Sequence, residues 1–191
     1  AINGRGFAPF QLLAWHVEGE FSWGVGVDRP FLHSICQKLH IPLITRTSQQ
    51  KRQDLACYSC SRERRRLLFV AAKEEGVETI AFGHHREDAI QTLLMNLLHK
   101  AEFAGNLPKI WMRNYGMTII RPLIYTEEAD IRQFAKQQNF FRLTCQCPVG
   151  QDSMRKKTDQ LLQEIEQLFP NARANLSKAA LVYGSKKAQE P

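Results

Sequence analysis

The stretch TIAFGHHRED, residues 79–88, decides the fold. Its first four residues form a short apolar run of the kind found in buried strands, and Gly83 ends the run. A helical pattern then begins at Arg86 and continues to about residue 101, with apolar residues three and four positions apart. Because a strand that leads directly into a helix is half of a βαβ unit, this stretch predicts a parallel sheet.

The same alternation of strands and helices continues on both sides. Short apolar runs predict further strands at residues 12–17, 41–45 and 117–120. Apolar residues at helical spacing predict further helices at residues 30–40, 61–75, 126–138 and 152–168. We therefore expect an α/β fold, a doubly wound parallel sheet flanked by helices. We expect one domain over residues 1–191, with a helical tail from about residue 152. In the helix predicted at residues 126–138, we expect Thr126 to be the N-cap.

Composition narrows the class of protein. The chain has 191 residues, of which 43% are hydrophobic, enough for a folded core. It has no apolar run of 18 residues, and residues 1–6 lack the pattern of a signal peptide, so we expect a cytoplasmic protein without a membrane segment. A net charge of +7 favours a polyanionic partner such as nucleic acid. The alternative is a soluble protein that is basic without binding a polyanion.

The turn at residues 83–88 is the first candidate site. Ligands of parallel sheets bind beyond the carboxyl ends of the strands, where a helix start offers N–H groups to phosphates or to an adenine edge. Gly83 permits the close approach of such a ligand. Asp88 is a candidate to bind Mg²⁺ together with ATP phosphates or to accept a proton. His84 and His85 have hydrogen-bonded packing roles as their alternative.

The helix that follows the turn has a polar face as well as an apolar one. Asp88, Thr92 and Asn96 recur on that face at four-residue spacing. Simple solvent exposure is the ordinary explanation of such a stripe. The position of Asp88 inside the glycine turn favours a functional role for the start of the stripe.

Five cysteines are present, and four of them form two tight pairs, Cys57 with Cys60 and Cys145 with Cys147. An odd count without an export signal argues against a disulfide framework. Structural zinc, an iron–sulfur cluster, a thioredoxin-like redox pair and inert buried thiols are the open interpretations. If a cluster is bound, three protein ligands are more natural than four, because a C-x-C pair does not comfortably place both thiols on one iron corner. A three-ligand cluster leaves one iron open for an exogenous sulfur.

Two basic segments follow the cysteine pairs closely. Such arginine and lysine runs are usually solvated helix faces, but guanidinium groups suit phosphate oxygens and these lie beside candidate metal ligands. The layout therefore favours phosphate contacts to a nucleic acid. The residues are Arg62, Arg64, Arg65, Arg66, Arg155, Lys156 and Lys157.

Taken in order, these motifs resemble the tRNA 2-thiocytidine biosynthesis proteins, the TtcA type of the PP-loop ATP pyrophosphatases. The resemblance covers roughly residues 10–183, including a tail with Ser153-x-Arg155, Phe169-Pro170 and Asn175. Five motifs carry it: the C-x-x-C-S-R segment at 57–66, Gly-His-His-x-Glu-Asp at 83–88, TLLMNL at 92–97, RPLIY at 121–125 and Cys-Pro at 147–148.

The resemblance implies an adenine nucleotide α-hydrolase-like fold and a specific chemistry. It implies adenylation by ATP of the C2 oxygen of an anticodon-loop cytidine, followed by displacement of AMP by sulfur. A sulfur donor, either a cysteine desulfurase system or sulfide, Mg²⁺ and a homodimer go with it. It implies a [4Fe–4S] cluster held by Cys57, Cys60 and Cys147, with Cys145 as the alternative third ligand.

The same resemblance assigns the residues of the turn. Gly83 and His84 match the nucleotide-binding turn, and Asp88 matches an acidic position of the motif. Glu87 replaces the first aspartate of the usual pair.

One departure concerns the nucleotide site itself. Members of this family begin with a strand and a Ser-Gly-Gly-x-Asp-Ser loop that grips pyrophosphate, and this motif is absent from the 191 residues. Gly24-Val25-Gly26 is no substitute, and residues 21–28 fit the family poorly. We therefore expect the N-terminal strand and loop to be missing from this chain. The alternatives to a sulfurtransferase are a non-catalytic, metal-holding tRNA-binding protein and a lysidine-type or amide-forming ATP pyrophosphatase, which has no need of paired cysteines.

Overall fold

The computed structural model describes residues 10–20, 28–51, 53, 56–140 and 153–184, and for Cys57 it describes the backbone only. Within these residues the chain forms two compact units, one of residues 10–71 and one of residues 72–140 with 153–184. None of the helices found there is both long and apolar enough to cross a membrane.

The first unit contains two strands and two helices. Strand β1 (Ala14–Glu18) pairs in parallel with β2 (Leu43–Thr47), and helix α1 (Arg29–Lys38) lies between them in the chain. Helix α2 follows β2 and spans Cys57–Glu74. Buried Val17 of β1 contacts Cys60, Leu67 and Leu68 of α2, so the start of α2 packs on this strand pair. Burial of these apolar side chains is what stabilises the helix against the strands.

The second unit is built on a three-stranded sheet with the order β3–β5–β4. Strand β3 (Thr79–Ala81) pairs in parallel with β5 (Met117–Ile120), and β4 (Lys109–Met112) pairs with β5 in antiparallel fashion. Its helices are α3 (Arg86–Lys100), α4 (Glu128–Gln137), α5 (Met154–Leu168) and α6 (Ala172–Tyr183).

Helix α3 is the packing centre of this unit, because α5 and α6 both contact it. The buried residues Ile90 and Leu94 of α3 pack with Leu162 of α5 and with Leu176 of α6. The apolar face of α3 thus faces the two C-terminal helices. The N-terminus of α3 follows the end of β3 in the chain.

The α/β class with parallel strand pairs, expected from the sequence, is confirmed by these elements and by the structural likeness given below. Strand β4 and helix α6 were not predicted. Helix α2 begins at Cys57 rather than at residue 61, which places the C-x-x-C on its first turn. The prediction of Thr126 as an N-cap was wrong, since the N-cap of α4 is Glu127, and the α4 N-terminus is capped by a side chain from α3. The single-domain organisation stays a prediction.

Candidate nucleotide turn and cysteine site

The turn after β3 is shaped by a hydrogen bond that closes the first turn of α3. The backbone N–H of His85 donates to Asp88 Oδ2 at 3.1 Å. This is the reciprocal half of a capping box, in which a carboxylate at the third helical position satisfies the N-cap amide. Gly83 is exposed just before it, and a Cβ built on Gly83 would meet nothing within 4 Å. The turn therefore presents open space directly above its backbone.

Asp88 has a second partner far away in sequence. Arg155 of α5 donates from Nη1 to Asp88 Oδ1 at 2.8 Å and lies 3.4 Å from Gln91 Oε1. Both carboxylate oxygens of Asp88 are thus engaged. The candidate catalytic carboxylate and one arginine of the predicted tRNA-binding set meet at the same place.

Glu87 is the most buried charged residue of the turn, with 7% of its surface exposed. Its Oε2 accepts from His85 Nδ1 at 3.1 Å and from the backbone N–H of Glu128 at 2.8 Å, and Arg86 lies within 3.2 Å of Oε1. Burial raises the carboxyl pKa, but the hydrogen bonds from His85 and from the Glu128 amide, with the charge of Arg86, outweigh it and lower the pKa to about 2. Glu87 therefore stays ionised and fixes the start of α4 beside the turn.

His85 lies between two carboxylates. Its hydrogen bond to Glu87 raises the imidazole pKa, burial opposes the rise, and the charge of Asp88 adds to it. The distance from His85 Nε2 to Asp88 Oδ2 is 3.3 Å. His84, half-buried, contacts the ring of Phe82 with a centroid distance of 5.5 Å. His85 therefore has the hydrogen-bonded structural role that the sequence left open.

The polar stripe of α3 is not a solvated face. Thr92 Oγ1 donates to the backbone oxygen of Asp88 at 2.7 Å, and Asn96 Nδ2 donates to the backbone oxygen of Ala104 at 2.8 Å. Asn106 Nδ2 lies 3.3 Å from Thr92 Oγ1. These contacts tie the segment after α3 back to the helix that carries Asp88.

The cysteine site is described in part. Cys60 is a half-buried thiol on the first turn of α2, against Val17 of β1. The side chain of Cys57, and Cys145 and Cys147 entirely, lie outside the described residues, so the predicted convergence of the two pairs stays a prediction. Among the described residues no group of three His, Cys, Asp or Glu side chains is placed to hold a metal ion.

The basic segment that follows Cys60 is divided among different environments. Arg66 bonds Glu63 through two hydrogen bonds of 2.7 and 2.9 Å, and Arg65 Nε donates to the backbone oxygen of Ser61 at 3.2 Å. Arg62 lies over the ring of Tyr58.

Arg64 lies near enough to His16 of β1 for its charge to affect the pKa of that imidazole. The pKa of His16 on β1 is lowered first by burial and then by the charges of Arg29 and Arg64, with Glu18 opposing. The four arginines are all exposed, but they do not form one uniform patch.

Sequence reasoning missed the role of Glu87 and the pairing of Arg155. A signal for the first was present, because a carboxylate in the first turn of a helix is placed to accept hydrogen bonds from backbone N–H groups. The second depends on the packing of α5 against α3, which local sequence does not encode. Lys156 and Lys157, beside Arg155, are exposed.

The turn follows a parallel strand and opens a helix, which is the arrangement in which α/β proteins commonly bind phosphates. A family profile described as PP-loop domain matches residues 7–142. The chain belongs to the PP-loop domain family.

Named relatives agree with the resemblance seen in the sequence. The tRNA-cytidine(32) 2-sulfurtransferase of Sorangium cellulosum is 38% identical over 124 residues, which are 64% of this chain and 44% of that protein. The protein of the same name from Geobacter metallireducens is 33% identical over 156 residues, 80% of this chain and 59% of that protein. This chain spans about half the length of the curated relatives it matches.

A solved structure is similar in fold. The U34-tRNA thiolase NcsA from Methanococcus maripaludis, with its [4Fe–4S] cluster, aligns with a TM-score of 0.66 over 88% of this chain and 60% of that one. The sequence identity is 18%, so this likeness supports the fold alone.

Proposed function

We propose that the chain carries out ATP-dependent thiolation of tRNA at C2 of an anticodon-loop cytidine, as a tRNA sulfurtransferase of the cytoplasm. The observation that carries the proposal is the C-x-x-C on the first turn of α2 in a PP-loop family chain, with named sulfurtransferases as relatives. In this reaction the C2 oxygen attacks the α-phosphorus of ATP and pyrophosphate leaves. Sulfide then bonds to C2 as the C–O bond breaks and AMP departs.

The donors present fit an iron–sulfur cluster. Residues 57 and 60 are one helical turn apart, so these two backbone positions are neighbours along α2. Cys60 is half-buried beside Val17, which limits the water around its thiol. Cys57, Cys60 and Cys147 would hold the cluster, with Cys145 as the alternative to Cys147 and zinc as the alternative metal. A cluster with an open iron supplies a place to hold exogenous sulfur.

The turn after β3 is assigned to the nucleotide. Gly83 leaves room for the ligand, and His84 lies next to it at the entrance to α3. Asp88 either binds Mg²⁺ or accepts a proton. For the first role Arg155 must leave Oδ1, and the phosphates of the nucleotide are an alternative partner for its guanidinium.

The basic residues are assigned to the RNA. Arg62, Arg64 and Arg65 are exposed at the start of α2 next to the cysteine pair. Lys156 and Lys157 are exposed on α5. Contacts from these side chains to phosphates would position tRNA without reading its sequence. The sulfur donor, either a desulfurase system or sulfide, and a homodimeric assembly belong to the same proposal.

A second candidate function is a protein that holds a metal and binds tRNA without adenylating it. The exposed basic residues of α2 and α5 suit tRNA binding in either case.

One experiment separates the two candidates. Anaerobically reconstituted protein is incubated with ATP, Mg²⁺, sulfide and tRNA, and both AMP release and 2-thiocytidine are measured by mass spectrometry. Formation of both products supports the sulfurtransferase. Cluster and tRNA binding without either product supports the non-catalytic protein, and absence of tRNA binding contradicts both.

A further inference from the structure

Tyr58 is an exposed aromatic residue inside the C-x-x-C. It lies on the first turn of α2, and 72% of its surface is exposed. Large aromatic rings contribute most to stability when they are buried, so packing within the described part of the chain does not account for this position.

The guanidinium group of Arg62 lies over the ring of Tyr58. Arg62 lies one helical turn further on, and its guanidinium carbon is 5.6 Å from the centroid of the Tyr58 ring. This is a cation–π arrangement that occupies one side of the ring and restricts its rotation. Most of the ring surface stays open to solvent, in a preferred orientation.

Arg62 supplies the positive charge of this pair. Glu63, the carboxylate next to Arg62 in sequence, bonds Arg66 instead. The first turn of α2 contains no acidic residue. In the part of the chain that the structure describes, no carboxylate forms an ion pair with Arg62. Tyr58 and Arg62 therefore combine an open π-face with an available cation.

We infer that Tyr58 and Arg62 form a stacking platform for an unpaired base of the anticodon loop, with Arg62 also contacting the adjacent phosphate. The inference rests on the proposed function, since it deepens how tRNA is held at the cysteine site. Proteins recognise single-stranded loops of RNA by stacking splayed bases on aromatic rings or guanidinium planes.

The position on the helix decides the role. Successive helical residues are about 100° apart around the axis, so Tyr58 is about 100° from position 57 and about 160° from Cys60. A base stacked on Tyr58 therefore lies away from the cysteine pair and is a base other than the reacting cytidine. Tyr58 acts as a positioning residue and does not touch the reacting atoms.

The test compares substitutions at Tyr58 for binding to an anticodon stem-loop RNA that carries 2-aminopurine in its loop. Tyr58→Phe keeps the aromatic ring, and Tyr58→Leu keeps an apolar side chain without the ring. Tyr183→Leu on α6 is the matched control, because Tyr183 is 76% exposed and lies elsewhere. Affinity is measured across a range of salt concentrations, and the absorbance of the reconstituted cluster is followed in each variant.

The platform predicts a distinctive pattern. Tyr58→Leu weakens binding roughly tenfold at every salt concentration and relieves quenching of the 2-aminopurine, because base stacking is largely independent of counterions. Tyr58→Phe and Tyr183→Leu bind as the wild type does. Arg62→Gln lowers the salt slope by about one, as the loss of one phosphate contact requires.

Other outcomes overturn the inference in distinguishable ways. If wild-type protein binds the RNA and Tyr58→Leu binds it equally well, the platform is wrong and the proposed function stands. Loss of binding in Tyr58→Leu together with loss of the cluster absorbance assigns Tyr58 to the cluster environment and also overturns the platform. If wild-type protein does not bind the RNA, the proposed function fails and the platform with it.

Discussion

Arg155 and Asp88, which are 67 positions apart in the sequence, form an ion pair in which Arg155 Nη1 lies 2.8 Å from Asp88 Oδ1. The pair links the start of α5 to the first turn of α3, just after the glycine turn. It places an arginine of the basic segment at the candidate nucleotide site. Its two neighbours on α5, Lys156 and Lys157, are exposed. The three cations of this segment are therefore not equivalent.

We predict that this difference appears in the salt dependence of RNA binding. Lys157→Ala should lower the slope of log affinity against log salt by about one, because each lysine–phosphate contact displaces one counterion. Arg155→Ala should change the slope by clearly less, because the charge of Arg155 is already compensated by Asp88. Fluorescence anisotropy with an anticodon stem-loop measures both slopes. Equal losses in the two variants would return Arg155 to the RNA-contact set.

Glu87 should control acid stability. Its pKa of about 2, against an ordinary 4.5, means that the folded state favours the ionised form, a contribution on the order of 3 kcal/mol. The contribution of a carboxyl group with a lowered pKa to the stability of the folded state is fully present above pH 4.5. It is lost as the pH falls from about 4.5 towards 2. Glu87→Gln should therefore cost most near pH 7 and progressively less below pH 4, measured by urea unfolding.

The control for this effect is Glu127→Gln. Glu127 pairs with the same neighbour, Arg86, at 2.6 Å, but its side chain is about half exposed. Exposed pairs contribute about 0.2–1 kcal/mol, so this variant should change stability little. A Glu87→Gln cost that is the same at pH 7 and pH 3 would show that shape rather than charge determines its role.

The sequence predicted those features that depend on local pattern. The strand at 79–81 and the helix at 86–100 follow from apolar periodicity and from the glycine between them. Strand β4 was not predicted, because Lys109–Met112 is short and pairs with β5 in antiparallel fashion. The α4 N-terminus was misassigned to Thr126 because its cap comes from Glu87, 41 positions earlier, and such a contact exists only once the chain has folded.

In the candidate site, too, the features that depend on local sequence were predicted and those that depend on tertiary packing were not. Motif spacing singled out Asp88 and Gly83, and the turn geometry is consistent with both. Packing of α5 on α3 determines that Arg155 reaches Asp88, and no spacing rule encodes that. The sequence also treated the four arginines at 62–66 as one set, whereas rotation around α2 distributes them among Tyr58, Glu63 and the side of His16.

His85 and His16 should titrate on opposite sides of 6.5. The hydrogen bond to Glu87 raises the pKa of His85, and burial lowers the pKa of His16. The stability that a raised histidine pKa contributes is present below 6.5 and is lost as the pH rises through the folded pKa. Glu87→Gln should lower the pKa of His85 and leave that of His16 unchanged, as followed by NMR of the imidazole Cε1 protons. An unchanged His85 titration in this variant would contradict the assigned cause.

Gly83→Ala should separate folding from nucleotide binding. A methyl group at this position meets no protein atom within 4 Å, so thermal stability should be unchanged or slightly raised. If the nucleotide approaches the protein backbone at Gly83 closely, the same methyl group should weaken binding of ATP roughly tenfold through steric overlap. Isothermal titration calorimetry measures this. Normal affinity in the variant would place the nucleotide away from the turn.

We propose that thiolates at residues 57, 60 and 147 together hold one iron–sulfur cluster. The most direct measurement is iron, sulfide and zinc content, with a Mössbauer spectrum, of protein purified anaerobically as wild type and as single Cys→Ala variants. We expect about four irons and four sulfides per chain, lost in Cys57→Ala, Cys60→Ala and Cys147→Ala and retained in Cys36→Ala. One zinc per chain without iron, or a full cluster in Cys57→Ala and Cys60→Ala, would contradict it.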